Sequence, residues 1–319
     1  MTLTIDRELQ LVFGGILGLL ILASSVAAWL ATRVKSESGR ATLANARQRI
    51  NAWWVMSAVF GGALLTGAKG SLLLFLLISL LALREFITLT PTLRADHGTL
   101  FWSFFVITPI QYLLIYIGWY GLFTIFIPVY AFLFVPIRSA LMGETERFLE
   151  RIAKIQWGLM VAVYCVSYAP ALLVIELKNY RGENAKLLLF LIVVVQLSDV
   201  FQYLWGKSLG KHKISPDVSP NKTWEGFLGG VATATLLGTG LYWLTPFEPR
   251  QAAVMAFVCC LLGFAGGLTM SAIKRDRGVK DFGNLIEGHG GILDRIDSLC
   301  FSAPVLFHLT RFFFSLPPA

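Results

Sequence analysis

Apolar residues run along the chain in blocks of roughly bilayer length, separated by short polar joints. The blocks fall at 11–32, 52–68, 70–89, 100–117, 119–137, 155–175, 186–205, 227–244, 252–270 and 299–316. A hydrocarbon core of ~30 Å takes ~20 apolar residues in helical form. The pattern therefore predicts an all-α polytopic transmembrane bundle with about ten spanning helices. The second block is short, and the third carries Arg84 and Glu85 near its end. The first follows Asp6, Arg7 and Glu8 and is longer than the ~7–15-residue core of a signal peptide, so it reads as a retained anchor.

Composition agrees with that pattern. The 319 residues are 56% hydrophobic and 14% charged, and a mean hydropathy of +0.68 leaves little for a separate soluble domain. Cys165, Cys259, Cys260 and Cys300 lie in or beside apolar blocks without C-x-x-C pairs and read as packing residues. A formal charge of +8 raises nucleic acid as a partner, but the cations lie between apolar blocks and not on a recognisable binding motif, so none is expected. Positive-inside topology accounts for them better. Assigning the joints alternately to two sides puts 20 of the 27 Lys and Arg on one side, in 33–49, 84–97, 138–154, 206–226 and 271–298. Both termini are then expected outside, with 206–226 and 271–298 facing the cytoplasm, where nucleotides and magnesium are available. Residues 1–185 read as connecting helices and 186–319 as a helical region carrying the chemistry.

Ser271 to Asp297 packs five Lys or Arg, five Asp or Glu and one His between two apolar blocks. Carboxylates at Asp281, Asp294 and Asp297 suit a hard cation such as Mg²⁺, and Lys274, Arg275, Lys280 and Arg295 suit phosphate oxygens. Mixed carboxylates and cations are what metal-assisted phosphoryl chemistry needs. Asp294 and Asp297, three apart at a helix start, would share one face. Gly288, His289, Gly290 and Gly291 allow close backbone approach to an anion. The plainer reading is a positive-inside loop whose carboxylates balance its cations, and the density of paired charge with the glycine cluster weighs against it. In Lys207 to Gly226, Ser219-Pro220 sets a turn, and Lys222 and Thr223 offer a cation and a hydroxyl. Asp199 stands inside an apolar block, which makes it a site residue by default, with an interfacial helix-end acid as the alternative. His97, His212 and His308 read as loop or packing residues.

Ser271 to Asp297 resembles the signature of the phosphatidate cytidylyltransferase (CDP-diacylglycerol synthase) family, S-x-x-K-R-x-x-x-x-K-D followed by H-G-G-x-x-D-R-x-D. Ser271, Lys274, Arg275, Lys280, Asp281, His289, Gly290, Gly291, Asp294, Arg295 and Asp297 stand at that spacing. Ser219 to Gly226 is similar to the family's S-P-K-K-T-W-E-G stretch, preceded by Asp199 and Gly206. The resemblance covers roughly 195–300. Glu287 stands where the family usually has Pro, and Phe201 and Gln202 replace small residues after Asp199.

The resemblance implies an integral membrane nucleotidyltransferase that converts CTP and phosphatidate to CDP-diacylglycerol and pyrophosphate in phospholipid biosynthesis. It implies Mg²⁺, with room for a second cation, on Asp199, Asp281, Asp294 and Asp297. Phosphates would meet Lys222, Lys274, Arg275, Lys280 and Arg295, while Ser219, Thr223, His289, Gly290 and Gly291 would orient substrate. The membrane implied is the bacterial inner membrane, and a homodimer is compatible with the apolar surface. A CTP-dependent polyprenol or lipid-alcohol kinase would use many of the same ligands and would release CDP, not pyrophosphate. A transporter fits the helices and Asp199, but it does not explain ionisable residues gathered in two loops.

Overall fold

The computed structural model describes residues 6–34, 36–178, 180, 182–286 and 290–315. Its helical segments follow the apolar blocks in order: α1 (Arg7–Arg33), α2 (Glu37–Leu65), α3 (Gly67–Thr88), α4 (Arg94–Tyr116), α5 (Tyr120–Ala140), α6 (Phe148–Ala171), α7 (Asn184–Leu209), α8 (Trp224–Gly240), α9 (Pro249–Asp276) and α10 (Leu293–Phe314). The protein is a helical membrane protein. Seven of these segments, α1, α3, α4, α5, α6, α7 and α9, are long and apolar enough to cross a bilayer.

The remaining three depart from the expected ten for visible reasons. The 33–49 joint is not a loop: Ser36 caps α2 by accepting the Gly39 N–H at 3.2 Å, so a polar half-helix runs directly into the short apolar block. α8 has only 17 residues. α10 carries Asp294, Arg295, Asp297 and Arg311 along its length. A small antiparallel hairpin, β1 (Lys213–Ser215) and β2 (Ser219–Thr223), also qualifies the all-α expectation. The two polar joints are narrower than the apolar pattern suggested. α9 continues through Lys274 and Arg275, α10 already holds Asp294, Arg295 and Asp297, and α7 extends through Lys207 to Leu209.

α1 lies at the periphery, with Leu11, Leu19 and Leu22 exposed as lipid-facing residues should be. Its start is tied inward, because Asp6 and Glu8 both pair with the buried Lys186 of α7. The interior is built on α6, α7 and α10, where Leu159, Val163, Leu187, Leu191, Ala303 and Leu306 are fully enclosed. That core cluster is continuous across residue 185. Cys259, Cys260 and Cys300 are buried free thiols within it, and Cys165 is half-buried.

α7 and α8 approach unusually closely. A Cβ on Gly226 would sit 2.7 Å from the Gln202 carbonyl and 2.9 Å from the Gly206 Cα, and one on Gly230 would sit 2.6 Å from the Gln202 backbone. Small residues at such a crossing let backbones touch where lipid supplies no hydrophobic drive between helices. The consequence is positional: α7 and the hairpin that follows it are held as one unit against α8, which fixes Asp199 and Lys222 in mutual register.

Candidate active site

Two clusters form where the ends of α7, α9 and α10 meet the hairpin. The first is centred on Ser298 of α10. Its hydroxyl donates to Asp199 Oδ2 of α7 at 2.8 Å, and Asp297 Oδ1 accepts the Ser298 N–H at 2.7 Å. Lys222 enters from β2: its ammonium lies 4.5 Å over the Phe264 ring and 3.4 Å from the Phe264 carbonyl of α9. Gly267 makes the space, since a Cβ there would lie 3.0 Å from Lys222 Nζ, 3.5 Å from Ser298 Oγ and 4.0 Å from Asp297 Oδ2. A cation, a hydroxyl and a carboxylate therefore meet over one bare backbone position, and Ser298 ties Asp199 to them.

Burial pulls the Lys222 pKa below the ordinary lysine value, Asp199 and Asp297 work against that shift, and Lys274 adds to it. Arg295, in the same turn of α10, has a buried Nε without a hydrogen-bond partner among the described residues, while Gln196 donates to the Arg295 carbonyl at 3.0 Å. An unsatisfied guanidinium nitrogen beside two carboxylates and a lysine marks a place where a polar ligand would recover a hydrogen bond.

The second cluster is centred on Asp294. Lys274 Nζ donates to Oδ1 at 2.8 Å, and Oδ2 accepts the N–H groups of Phe282 at 2.7 Å and Gly291 at 2.9 Å. Lys274 and Asp294 are 8% and 5% exposed, so this is a buried ion pair. Asp294, expected as a cation ligand, has both oxygens taken by protein donors. Through these bonds it ties Phe282 and Gly291 to the start of α10. Gly290 stands at φ +83, and a Cβ there would meet Asp294 Oδ2 at 2.9 Å and the Asp281 Cβ at 3.2 Å. Only glycine combines that backbone region with that closeness. Asp281, exposed beside Gly290, is thereby brought next to Asp294.

The other expected residues are distributed as follows. Lys280 and Arg275 are exposed, with Arg275 donating to the Val279 carbonyl at 2.8 Å. Ser219 pairs with Ser215 in the hairpin. Thr223 is buried and caps α8, accepting the Gly226 N–H at 3.1 Å. His289, with Gly288 and Glu287, lies outside the described residues. Glu225 secures the base of the hairpin by accepting from Lys211 N and His212 N at 3.1 and 3.2 Å and pairing with the His212 ring at 2.6 Å.

One participant was not singled out from the sequence. Glu85, in the last turn of α3, accepts the N–H groups of Ile292 at 2.9 Å and Leu293 at 2.8 Å. It caps α10 from another helix, placing negative charge at the positive end of the helix dipole. Gly283 and Gly291 give way to it: Cβ atoms there would lie 2.7 and 2.3 Å from the carboxylate oxygens. Phe86, next to it, stacks on Phe282 with centroids 6.3 Å apart. The signal available in the sequence was a lone carboxylate in the last turn of an apolar block.

Residues 47–313 match the model of the cytidylyltransferase family. The chain is 41% identical over 298 residues to the uncharacterized protein YnbB of Escherichia coli (strain K12), covering 92% of this chain and 95% of that one. It is 41% identical over 142 residues to the phosphatidate cytidylyltransferase of Bacillus subtilis (strain 168), 44% of this chain and 52% of that one. It is 40% identical over 128 residues to that of Staphylococcus aureus (strain COL), 40% of this chain and 49% of that one. With most of its length inside the family match, including both side-chain clusters, the chain belongs to the cytidylyltransferase family.

Proposed function

We propose that this protein transfers the cytidylyl group of CTP to a lipid phosphate, phosphatidate foremost, giving CDP-diacylglycerol and releasing pyrophosphate at the cytoplasmic face of a bacterial inner membrane. The observation that carries the reading is the meeting of Lys222, Ser298 and Asp297 over Gly267, with Asp199 joined to them through Ser298, in a chain of this family. The lipid phosphate is already an anionic nucleophile, so no strong base is needed. The requirement is to align and neutralise two highly charged groups around the α-phosphorus and to stabilise departing pyrophosphate.

Lys222 and Arg295 suit the phosphate oxygens: one is a half-buried ammonium, the other a guanidinium with an unsatisfied nitrogen. Exposed Lys280 and Arg275 suit the outer phosphates of the nucleotide. Lys274 is committed to Asp294 and holds the segment that presents Asp281 and Gly290. Asp199 and Asp297 are a donor set compatible with Mg²⁺, which binds through one or two carboxylates together with phosphates and water. Among the described residues no group of three or more His, Cys, Asp or Glu side chains forms a metal cage by itself, which suits a cation brought with the nucleotide. When bound, the cation would supply charge neutralisation at the reacting phosphates.

The test is lipid labelling. Purified protein in mild detergent, given phosphatidate, α-labelled CTP and Mg²⁺, is expected to move label into the lipid phase and release pyrophosphate. Lys222→Ala and Asp297→Asn are each expected to reduce this by at least about a hundredfold, the scale set by losing a charge contact made in the transition state. Release of CDP with a polyprenol acceptor would establish the kinase instead. No label with any lipid phosphate would overturn the assignment.

A further inference from the structure

About 25 Å along α10 from Asp294, at 1.5 Å per residue, Arg311 and Lys178 stand over an open cleft of about 820 Å³. The backbone builds this place. Lys178 N–H donates to the Phe314 carbonyl at 3.1 Å, and Leu177 and Ser315 form an isolated bridge that joins the α6–α7 connector to the end of α10. The Arg311 guanidinium lies 3.5 Å over the Tyr120 ring. The Tyr120 hydroxyl is 3.3 Å from His308 Nδ1, His308 Nε2 is 3.1 Å from the Tyr168 hydroxyl, and that hydroxyl donates to Tyr164 at 2.8 Å. Arg311 is thus seated on an aromatic platform anchored in the core.

Cations at this end of the bundle call for an explanation. Seven of the 27 Lys and Arg lie outside the cation-rich joints. One of the seven, Lys186, is answered by Asp6, Glu8 and Glu183. Among the described residues no carboxylate lies within ion-pair distance of Arg311 or Lys178. The same cleft is walled by apolar side chains, Leu309 and Phe312 among them, and Phe312 is 82% exposed. Two cations without an ion-pair partner among the described residues, beside an exposed apolar wall, fit an anion that carries its own hydrocarbon.

We propose that this cleft binds the head group of an anionic phospholipid, with its phosphate between Arg311 and Lys178 and its acyl chains along Leu309 and Phe312. Inorganic phosphate would meet the same cations but would leave the apolar wall uncovered, which favours the lipid. The site lies at the opposite end of α10 from the candidate active site, so its occupant is not the lipid being converted.

The test is lipid retention by the full-length protein in detergent, read by native mass spectrometry after exposure to phosphatidylglycerol or to phosphatidylcholine of the same chain length. Phosphatidylglycerol is a diester and lacks the free phosphate that the proposed reaction needs. The wild-type protein is expected to retain one phosphatidylglycerol in preference to phosphatidylcholine, and excess inorganic phosphate should not displace it. Lys178→Gln and Arg311→Gln are each expected to weaken that retention about tenfold, the scale of one charge-assisted contact, and Arg311→Lys should keep most of it. Lys178 is exposed and its side chain makes no ion pair among the described residues, so its variant tests the site even if loss of the Tyr120 stacking unfolds Arg311→Gln. Equal retention of both lipids by the wild type, or an unchanged preference in Lys178→Gln and Arg311→Gln, would overturn the proposal. Displacement by inorganic phosphate would overturn it too, showing a phosphate site without lipid selectivity.

Discussion

Replacing Glu85 by alanine tests whether the N-terminal helices shape the candidate active site. The substitution removes both acceptors of the Ile292 and Leu293 N–H groups, now at 2.9 and 2.8 Å. Hydrogen bonds to a charged acceptor contribute about 1.5–3 kcal/mol each. Because Glu85 and Ile292 are only half-buried, water can replace part of that, and a combined loss of about 2 kcal/mol is the reasonable figure. If the capped arrangement of Ile292 and Leu293 is the one that turns over, 2 kcal/mol corresponds to about a thirtyfold drop in rate. Glu85→Gln keeps one oxygen acceptor and should lose about 1 kcal/mol, or about fivefold. The assay is incorporation of α-labelled CTP into lipid, run beside amide hydrogen exchange over 290–293. Faster exchange at Ile292 and Leu293 should accompany the loss of rate, in the order wild type, Gln, Ala. Wild-type turnover with unchanged exchange in Glu85→Ala would refute the capping argument. Equal damage from Gln and Ala would show that the charge, and not the hydrogen bonding, matters.

Three further outcomes follow from the geometry. Asp294→Asn strands the buried Lys274 and should destabilise the protein by about 3–5 kcal/mol, seen as a lower midpoint of thermal unfolding in detergent. Gly226→Ala drives a methyl to within 2.7 Å of the Gln202 carbonyl, and the forced separation of α7 and α8 should cost about 1–3 kcal/mol, whereas Gly240→Ala, with open space around its Cβ, should be near neutral. Lys222 has a pKa below the ordinary lysine value, so it gives up its proton at a lower pH than a surface lysine does. If its charge is needed, turnover should fall on the alkaline side through that lowered pKa, and Lys222→Arg should move the fall to higher pH; a pH–rate profile unchanged in the variant would count against the role.

Much of the bundle was legible along the chain because a membrane protein announces itself in one dimension. An apolar block must cross the bilayer with its backbone bonded internally, so length and hydropathy nearly determine the helix order. The boundaries were less legible. Nothing in 33–49 distinguishes a polar loop from a polar half-helix, and the difference was made by the Ser36 cap and by continuity with the apolar block. Likewise, polar residues at 271–276 and 293–298 looked like loop because they are charged, yet helices α9 and α10 carry them to the edge of the bundle.

The candidate site divides in the same way. Residue types and spacing pointed to Lys274, Asp281, Asp294, Arg295 and Asp297 as a group, since charges concentrated beside apolar blocks need a purpose, and the family resemblance joined Asp199 and Lys222 to them. Spacing could not assign partners among them, because that depends on which helices touch. Tertiary structure seated Lys274 on Asp294, where the pair holds Phe282 and Gly291, and brought Asp199 and Asp297 together on Ser298. It also brought in Glu85 from more than two hundred positions away to cap α10. Chemistry-bearing residues can be recognised one at a time from their cost in an apolar chain. The contacts that decide which of them hold the frame and which remain open to substrate exist only once α3, α7, α9 and α10 are packed.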